Sequence, residues 1–287
     1  MDSAPDAIGH PVSRDRTVDA HVHLLPSRLT AAVRRFFDSR GIDSGRFAYP
    51  PEHVAVCDLL AAEGVAEAWS LPYARRPGAA AELNQASARL AARQGLAISV
   101  VGGCTVHPGD ERPAAIVRHA VEDLGLRVLK LHCSVGDFTP DDPRLDEVWE
   151  YVSQVCLPAV VHAGHAHDGS TAGAELGPVG IVASRHPGAR IVIAHCAYAA
   201  TAEALQLVAA HPGLYADLTP VIHDPVRPPA GRLEELAAKL LFGSDAPNTG
   251  MTVTQLLAGL AETRLSAPAW QAITGGTARR LQQDVKA

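Results

Sequence analysis

Eight short apolar segments recur along the chain, and stretches with helical periodicity lie between them. The segments span residues 17–23, 65–71, 97–104, 126–132, 157–163, 190–195, 213–218 and 239–245. In the stretch 113–124, the apolar residues fall on one face of a helical period, as in an amphipathic helix. This strand–helix alternation predicts a parallel sheet, and eight units of this length predict a closed (β/α)8 TIM barrel.

The segments outside the strands complete this prediction. Further helices are predicted where the chain is rich in Ala, Leu, Glu and Arg, at residues 79–94, 143–155, 199–210 and 229–238. The barrel is predicted to be distorted, with a short insertion at residues 25–51 after the first strand. The segment RLTAAVRRFF of this insertion is predicted to be helical, and the insertion is a candidate for part of a lid. Residues 267–283 predict a closing helix. The polar residues 1–16 are predicted to be a flexible tail, which leaves one barrel domain over 17–287.

The composition limits the classes of function. The chain has 287 residues, 47% of them hydrophobic, and a net charge of −6. This length buries a full core, and the mild acidity argues against binding to nucleic acid or to a membrane surface, since both favour basic patches. The five cysteines are scattered and lack CxxC spacing, which predicts reduced thiols in a cytoplasmic protein. The expected partner is a small-molecule substrate.

The stretch TVDAHVHL, residues 17–24, places two histidines two positions apart behind an aspartate. In a regular strand, Asp19, His21 and His23 point to one face, and the intervening apolar side chains point to the other. A half-exposed strand with polar residues facing water explains this stretch as well as a metal site does. The residues at the ends of the other predicted strands distinguish a half-exposed strand from a metal site.

Five of the eight predicted strands end in a side chain that can bind a metal or carry a proton. These are His21 and His23 on the first strand, Lys130 and His132 on the fourth, His162 on the fifth, His195 on the sixth and Asp245 on the eighth. Active sites of (β/α)8 barrels lie at the C-terminal ends of the strands, so we expect these side chains to converge. Converging imidazoles and a carboxylate suit a divalent ion, zinc first, with iron, manganese or cobalt as alternatives.

Such a ligand set indicates activation of water. Neutral imidazoles bind the ion, and a water in an open coordination position has its pKa drawn from about 15.7 toward about 7. Asp245 is predicted to contact both the metal and the water and to take the proton. An aspartate beside a cation keeps a low pKa, so Asp245 acts as a base only because the water has become more acidic.

Five motifs, one at each of these strand ends, resemble those of the amidohydrolase superfamily. They are DAHVH (19–23), LKLH (129–132), VVHAG (160–164), IVIAHC (191–196) and LLFGSDAP (240–247). They span nearly the whole chain and are most similar to the amidohydrolase-related branch (amidohydrolase 2), which contains the aminocarboxymuconate-semialdehyde decarboxylase-like enzymes. The resemblance implies a metal-dependent TIM-barrel enzyme and, as is common in the family, a homodimer.

The resemblance also implies a role for each motif residue. The metal ligands would be His21, His23, His162 and Asp245, with Asp245 also the proton acceptor. His195 would bind a second metal or, in one-metal members, hydrogen-bond the water and the substrate.

Lys130 has two interpretations under this resemblance. Two-metal members of the superfamily carry a carbamylated lysine that bridges the ions from the fourth strand, whereas a similar lysine in many members of this branch is not a bridge. We favour one Zn2+ ion, with a second ion bridged by carbamylated Lys130 as the alternative. The chain departs from the family at Cys196, which follows His195 where glycine is common.

Other polar residues near the strand ends receive simpler interpretations. Asp19 is predicted to accept the second N–H of a ligand imidazole. Asp217 is predicted to face a helix or to cap the next element, and His107 to be a turn residue. Substrate contact is one alternative, beside a solvated loop position, for His165, His167, His223 and Asp224.

Three functional hypotheses follow. The first is a metal-dependent hydrolase in which a metal-activated water attacks an amide, lactone, ester or imine carbon, while His195 or Lys130 polarises the oxyanion. The alternative is a metal-dependent non-oxidative decarboxylase, in which Arg75 and Arg76 would hold a substrate carboxylate; the chain is short for such an enzyme. A binding scaffold that has lost activity is disfavoured, because all the ligand-type residues are present.

Overall fold

The computed structural model describes residues 17–164 and 172–286, and it confirms the predicted (β/α)8 barrel. Eight parallel strands pair in sequence order. They are β1 (Thr17–Val22), β2 (Val65–Ser70), β3 (Ser99–Thr105), β4 (Val128–Leu131), β5 (Pro158–Val161), β6 (Arg190–Ile193), β7 (Leu214–Asp217) and β8 (Leu240–Leu241). The predicted tail, residues 1–16, lies outside the described residues.

Helices follow the strands and cover the outside of the barrel. They are α1 (Ser27–Ser39), α2 (His53–Ala62), α3 (Ala80–Ala91), α4 (Pro113–Glu122), α5 (Cys133–Gly136), α6 (Asp146–Val155), α7 (Ala172–Arg185), α8 (Thr201–Ala210), α9 (Ala230–Leu236), α10 (Val253–Ala261), α11 (Ala267–Gln271) and α12 (Thr277–Gln283). The predicted closing helix at 267–283 is interrupted by a π-helical turn at Ala272–Gly276. The adjacent Gly275 and Gly276 have low helix propensity, which explains the interruption. Over the described residues, every helix is too short or too polar to cross a bilayer.

The eighth strand is shorter than predicted, and it closes the barrel irregularly. Only Leu240 and Leu241 pair with β7. The chain beyond them bonds to β1 instead, through the Phe242 carbonyl, which accepts from the Ala20 N–H at 2.9 Å, and through the Asp245 N–H, which donates to the His21 carbonyl at 2.9 Å. Asp245 is thereby fixed directly beside the two histidines of β1.

The interior of the barrel changes character along the strands. One buried apolar cluster contains residues from β1, β2, β4, β5, β6 and β8 together with Ala278 and Leu281 of α12. On the inner face of two strands, the apolar residue of this cluster is followed two positions later by a polar residue. Lys130 follows Val128 in this way, and His162 follows Val160. The sequence therefore builds an apolar lower interior and a polar upper interior at the C-terminal ends of the strands.

The predicted alternation along β1 is wrong in its upper part. Val18 and Ala20 belong to the interior cluster, but Val22 belongs to the outer cluster between strands and helices. The register with β2 shifts between Asp19 and Val22, and such an irregularity moves later side chains to the other face. His21 and His23 consequently face the polar upper interior.

The insertion after β1 packs over one side of the barrel mouth. It contains α1 and a short 3-10 turn at Ser44–Arg46. The Ala48 N–H donates to the Thr249 carbonyl at 2.8 Å, and the Thr249 hydroxyl donates to the Ile222 carbonyl at 3.0 Å. These bonds join the insertion to the loops after β7 and β8, and the assignment of the insertion to a lid stays a prediction.

Candidate metal centre

Three predicted ligands form a compact group at the C-terminal end of the barrel. One ligand atom each from His21, His23 and Asp245 lies within 4.8 Å of the other two. The Asp245 Oδ1 atom is 3.1 Å from His23 Nε2 and 3.9 Å from His21 Nε2. Both imidazoles are buried, whereas the Asp245 side chain keeps 14% of its exposure. The group therefore opens toward the mouth of the barrel at Asp245.

The backbone and a second carboxylate orient both imidazoles of this group. His23 Nδ1 is 2.7 Å from the Leu71 carbonyl oxygen, and His21 Nδ1 is 2.9 Å from Asp217 Oδ2. Each of these partners is an acceptor only, so each Nδ1 carries the proton and donates it. The Nε2 lone pairs are thereby directed into the group, as metal-binding histidines require.

Asp217 accepts hydrogen bonds from three N–H groups around the site. Its prediction as a helix-facing or capping residue is wrong. Besides the bond from His21, its Oδ1 accepts the backbone N–H of His195 at 2.7 Å and that of Thr219 at 3.2 Å. Burial alone would raise the pKa of Asp217, but its interactions with His21 outweigh burial, and the pKa lies below its ordinary value. Asp217 is the last residue of β7, so the rule that identified the other strand ends also identifies it.

Asp19 does not have its predicted role. Its Oδ2 accepts from the Ser244 hydroxyl at 2.5 Å, and its Oδ1 accepts from the Ser244 N–H at 3.0 Å and the His21 N–H at 3.2 Å. Asp19 therefore holds the backbone of β1 to the segment that carries Asp245, and the imidazole N–H atoms go to other acceptors. Sequence reasoning missed Ser244, because a serine beside Asp245 has no distinctive spacing.

Gly243 is required by the close approach of these elements. A Cβ atom at this position would lie 2.1 Å from Thr219 Oγ1 and 2.8 Å from His21 Cβ. Any side chain would therefore displace His21 from Asp245. This explains the glycine of the GSD motif in terms of space rather than backbone conformation.

Lys130 lies fully buried in the same upper interior. Its Nζ atom is 3.2 Å from His21 Nε2. Burial lowers the pKa of Lys130 to about 8, although the charges of Asp217 and Asp245 oppose the shift. Burial, followed by the charge of Lys130, lowers the pKa of His21 to about 3. A neutral His21 is the form that binds a metal ion.

His195 is held by an unusual backbone turn after β6. His195, Cys196 and Ala197 have φ angles of 54°, 45° and 48°, a left-handed conformation that costs about 1–2 kcal/mol for each non-glycine residue. Glycine would adopt this conformation without strain, which fits the glycine that the resemblance implies at the position of Cys196. His195 Nδ1 donates to the Pro220 carbonyl at 3.1 Å, so its Nε2 is left as an acceptor, and its ring centroid lies 4.9 Å from that of His21.

His162 lies one ring further from the compact group. Its ring centroid is 5.0 Å from that of His195, and it stacks on His132 at 3.8 Å with an interplanar angle of 17°. Its Nε2 atom is buried without a hydrogen-bond partner among the described residues, and burial lowers its pKa. His162 thus stays a predicted ligand, with an available nitrogen donor beside the group.

The remaining candidates are more peripheral. His107 is a structural turn residue, since its Nε2 donates to the Gly136 carbonyl at 2.9 Å and its N–H donates to Asp110 at 2.9 Å. Arg75 and Arg76 are exposed beyond β2. His223 is exposed, with its ring 6.5 Å from that of Phe47 in the insertion. The predictions for His165 and His167 lie outside the described residues.

The donor set fits a divalent ion. His21, His23 and Asp245 supply two imidazole nitrogens and a carboxylate oxygen, which is a set that zinc and manganese accept. The unpartnered buried Nε2 of His162 adds a donor for which the described part of the chain offers no other partner. By contrast, a groove of about 800 Å3 near the starts of β2 and β3 is lined mainly by small residues, with Arg93 and Gln94, and it brings no such donors together among the described residues.

Comparison of the sequence with models of known protein families agrees with a metal centre of this kind. The model of the amidohydrolase family matches residues 18–281. A comparison with curated proteins gave no match.

Similar solved structures share the fold at low sequence identity. The 5-carboxyvanillate decarboxylase of Sphingomonas paucimobilis is 14% identical, with 95% of this chain and 100% of that chain covered and a TM-score of 0.68. A dihydroxybenzoic acid decarboxylase from a Polaromonas species, with bound manganese and the inhibitor 2-nitroresorcinol, is 14% identical, with 95% and 98% covered and a TM-score of 0.66. A putative 2-pyrone-4,6-dicarboxylic acid hydrolase from Pseudomonas putida is 16% identical, with 95% and 99% covered and a TM-score of 0.63.

Proposed function

This chain belongs to the amidohydrolase family, and we propose that within it the protein is a metal-dependent hydrolase. Its substrate is a small molecule with an amide, lactone, ester or imine carbon. The observation that carries the proposal is the convergence of ligand atoms from His21, His23 and Asp245 within 4.8 Å. These residues would hold a divalent ion, Zn2+ first or Mn2+, which would supply Lewis acidity toward a substrate oxygen and make a water more acidic.

Asp245 is the proton carrier of this reaction. It is the partly exposed member of the group, so it reaches both the buried imidazoles and a substrate in the mouth. Burial would raise its pKa, but the hydrogen bond and charge of His23 lower it below the ordinary value. An ionised Asp245 takes the proton of the attacking water and passes it to the leaving atom.

His195 and Lys130 act on the two oxygens of the reaction. His195 Nε2 is an acceptor, because Nδ1 is committed to the Pro220 carbonyl, so it orients the attacking water by accepting its O–H. Lys130 is a donor, and its Nζ lies 3.2 Å from His21 Nε2. If that Nε2 lone pair were taken up by a metal, the Lys130 ammonium group would be available to stabilise the negative charge that develops on the substrate oxygen. If Lys130 were instead carbamylated, it would be a further ligand and would suit a site for two ions.

A second candidate function is non-oxidative decarboxylation. The observation in its favour is that Arg75 and Arg76, exposed at the rim beyond β2, form no ion pair with any described residue. Guanidinium groups in this position suit a substrate carboxylate. In that reaction, a water hydrogen-bonded to His195 Nε2 would deliver the proton to carbon and regain it from solvent, because Nε2 itself carries no proton.

The test is a product analysis with metal-loaded protein. Protein loaded with Zn2+ or Mn2+ is incubated with lactones, amides, esters, imines and hydroxylated aromatic acids, and the products are identified by mass spectrometry. Addition of one water supports the hydrolase, and loss of CO2 without uptake of water supports the decarboxylase. Turnover should disappear in both His162→Ala and Asp245→Asn, and retained turnover in both variants contradicts the proposed mechanism.

A further inference from the structure

We propose that the Tyr73 hydroxyl donates a hydrogen bond to the substrate oxygen that approaches His23 and Asp245. Tyr73 follows β2 by three residues and is half-buried. Its ring meets the His23 ring edge-on, with centroids 5.3 Å apart and an interplanar angle of 87°. Its hydroxyl makes no hydrogen bond with any described residue. The inference rests on the proposed function and names a substrate-binding residue for it.

Tyr73 completes a closed circuit of ring contacts around the upper interior. Its second neighbour is His132, at a centroid distance of 4.9 Å. The circuit continues through His162, His195 and His21 and returns to His23, with centroid distances of 3.8 Å, 5.0 Å, 4.9 Å and 5.1 Å. Tyr73 thus stands in the same layer of side chains as the predicted ligands.

Three histidines of this layer present acceptors to the upper interior. His21, His23 and His195 each commit the Nδ1 proton to an oxygen outside the layer, so their Nε2 atoms have no proton to donate. A substrate carbonyl or oxyanion needs donors. Lys130 is one donor, and it is engaged with His21 Nε2; the Tyr73 hydroxyl is a second donor and is not engaged.

The backbone around Tyr73 is anchored on both sides. The Leu71 N–H donates to the Val22 carbonyl at 2.7 Å, and the Leu71 carbonyl accepts from His23. On the other side, the Ala74 N–H donates to the Thr105 hydroxyl at 3.1 Å. Because its neighbours are fixed, Tyr73 loses little conformational entropy when it binds a substrate.

This placement has a consequence for specificity. The substrate must carry a hydrogen-bond acceptor oxygen on the side that faces β2, next to the reacting carbon. A substrate analogue without this oxygen leaves the half-buried hydroxyl without a partner and binds more weakly.

The test uses Co2+-loaded protein and acetohydroxamate as the oxyanion probe. The dissociation constant of the probe is measured by titration calorimetry and by the visible absorption of the bound Co2+. We expect Tyr73→Phe to bind acetohydroxamate about 10- to 100-fold more weakly than the unmodified protein, the usual effect of losing a hydrogen bond to a charged group. Its affinity for Co2+ should be unchanged, because the ring and its contacts are retained.

Tyr151→Phe is the matched control. The Tyr151 hydroxyl donates to Glu122 Oε1 at 3.2 Å on the outer helices, so its removal should leave the probe affinity unchanged. Equal probe affinity in Tyr73→Phe and the unmodified protein, or an equal loss in both variants, overturns the inference. Co2+ binding without probe binding by the unmodified protein also overturns it. Failure of the unmodified protein to bind Co2+ overturns the proposed function itself.

Discussion

The lower and upper halves of the barrel interior are built from the same strands but differ in almost every physical property. The lower half is packed with apolar side chains such as Val18 and Trp69 and is closed by Leu281 of α12. The upper half buries carboxylates, imidazoles and Lys130. Burying polar groups costs free energy unless each is paired, so the lower half stabilises the fold while the upper half is arranged for chemistry.

Some polar side chains of the upper half have all their hydrogen-bond partners within the protein, whereas others have a polar atom without one in the described part of the chain. Asp217 and Asp19 are fully engaged with N–H and O–H donors. His162 Nε2 is buried without a partner among the described residues, and the Tyr73 hydroxyl is also unbonded there. The engaged groups hold the geometry, and these two unengaged groups of the upper half are the ones we assign to metal and substrate.

The largest expected effect is on turnover, from a change in the upper half. Asp245→Asn removes the charge of the proposed ligand and proton carrier, so we expect kcat/KM to fall by about 10²- to 10⁴-fold. The free energy of unfolding, measured by urea denaturation without metal, should change much less than turnover does, because asparagine keeps the shape of the side chain. A variant that keeps turnover within a factor of two would exclude Asp245 as the proton carrier.

A substitution in the lower half should instead reduce the stability of the fold and leave metal binding unchanged. Leu281→Ala leaves a cavity where α12 closes the barrel, and we expect the free energy of unfolding to fall by about 2–5 kcal/mol. The metal dissociation constant of the folded protein should stay within twofold, because Leu281 does not contact the metal centre. If the folded Leu281→Ala variant bound the metal more weakly, packing in the lower half would affect the metal centre in the upper half.

Gly243→Ala lies at the boundary between the halves. The added methyl group would meet Thr219 Oγ1 and His21 Cβ, and overpacking of this kind costs about 1–3 kcal/mol. We expect both the unfolding free energy and the metal affinity to fall. Ala278→Gly, in the lower half, is the control that should lower stability alone; unchanged metal affinity in Gly243→Ala would argue against contact through His21.

Asp217→Asn should have an effect of about the same size as Gly243→Ala, confined to metal binding. The carboxylate accepts three N–H groups, and an amide has a single acceptor oxygen, so one N–H would face an NH2 group. We expect a loss of metal affinity of about 10- to 100-fold, as for other partners of metal ligands. The measurement is titration calorimetry with Zn2+.

Asp110→Asn provides the matched control for Asp217. Asp110 also accepts two backbone N–H groups, from Gly78 and His107, at the rim of the barrel, but it is not bonded to a predicted ligand. The metal affinity of the Asp110→Asn variant should equal that of the unmodified protein. An equal loss in both variants would indicate a general loosening of the rim instead of a specific effect on His21.

The lower half of the barrel and most of the upper half could be predicted from the sequence. Each strand was visible as an apolar run, and the C-terminal ends of five of them carried His, Lys or Asp side chains, which the structure gathers at one end of the barrel. The prediction of which group orients which imidazole failed. Asp19 is close to His21 in sequence, but the acceptor is Asp217, 196 positions away.

The irregular parts of the site could not be predicted, because they depend on contacts between distant segments. The register shift in β1 reverses the face of Val22, and the left-handed turn at His195 depends on the bond from its N–H to Asp217. The role of Tyr73 depends on a loop anchored by Thr105. None of these contacts leaves a periodic pattern in the sequence.

The central claim, that His21, His23 and Asp245 share one metal ion, is tested most directly by anomalous diffraction from crystals grown with Mn2+. We predict an anomalous peak about 2.0–2.3 Å from His21 Nε2, His23 Nε2 and an Asp245 carboxylate oxygen. Full occupancy by manganese elsewhere on the protein, with no peak among these three side chains, would contradict the account.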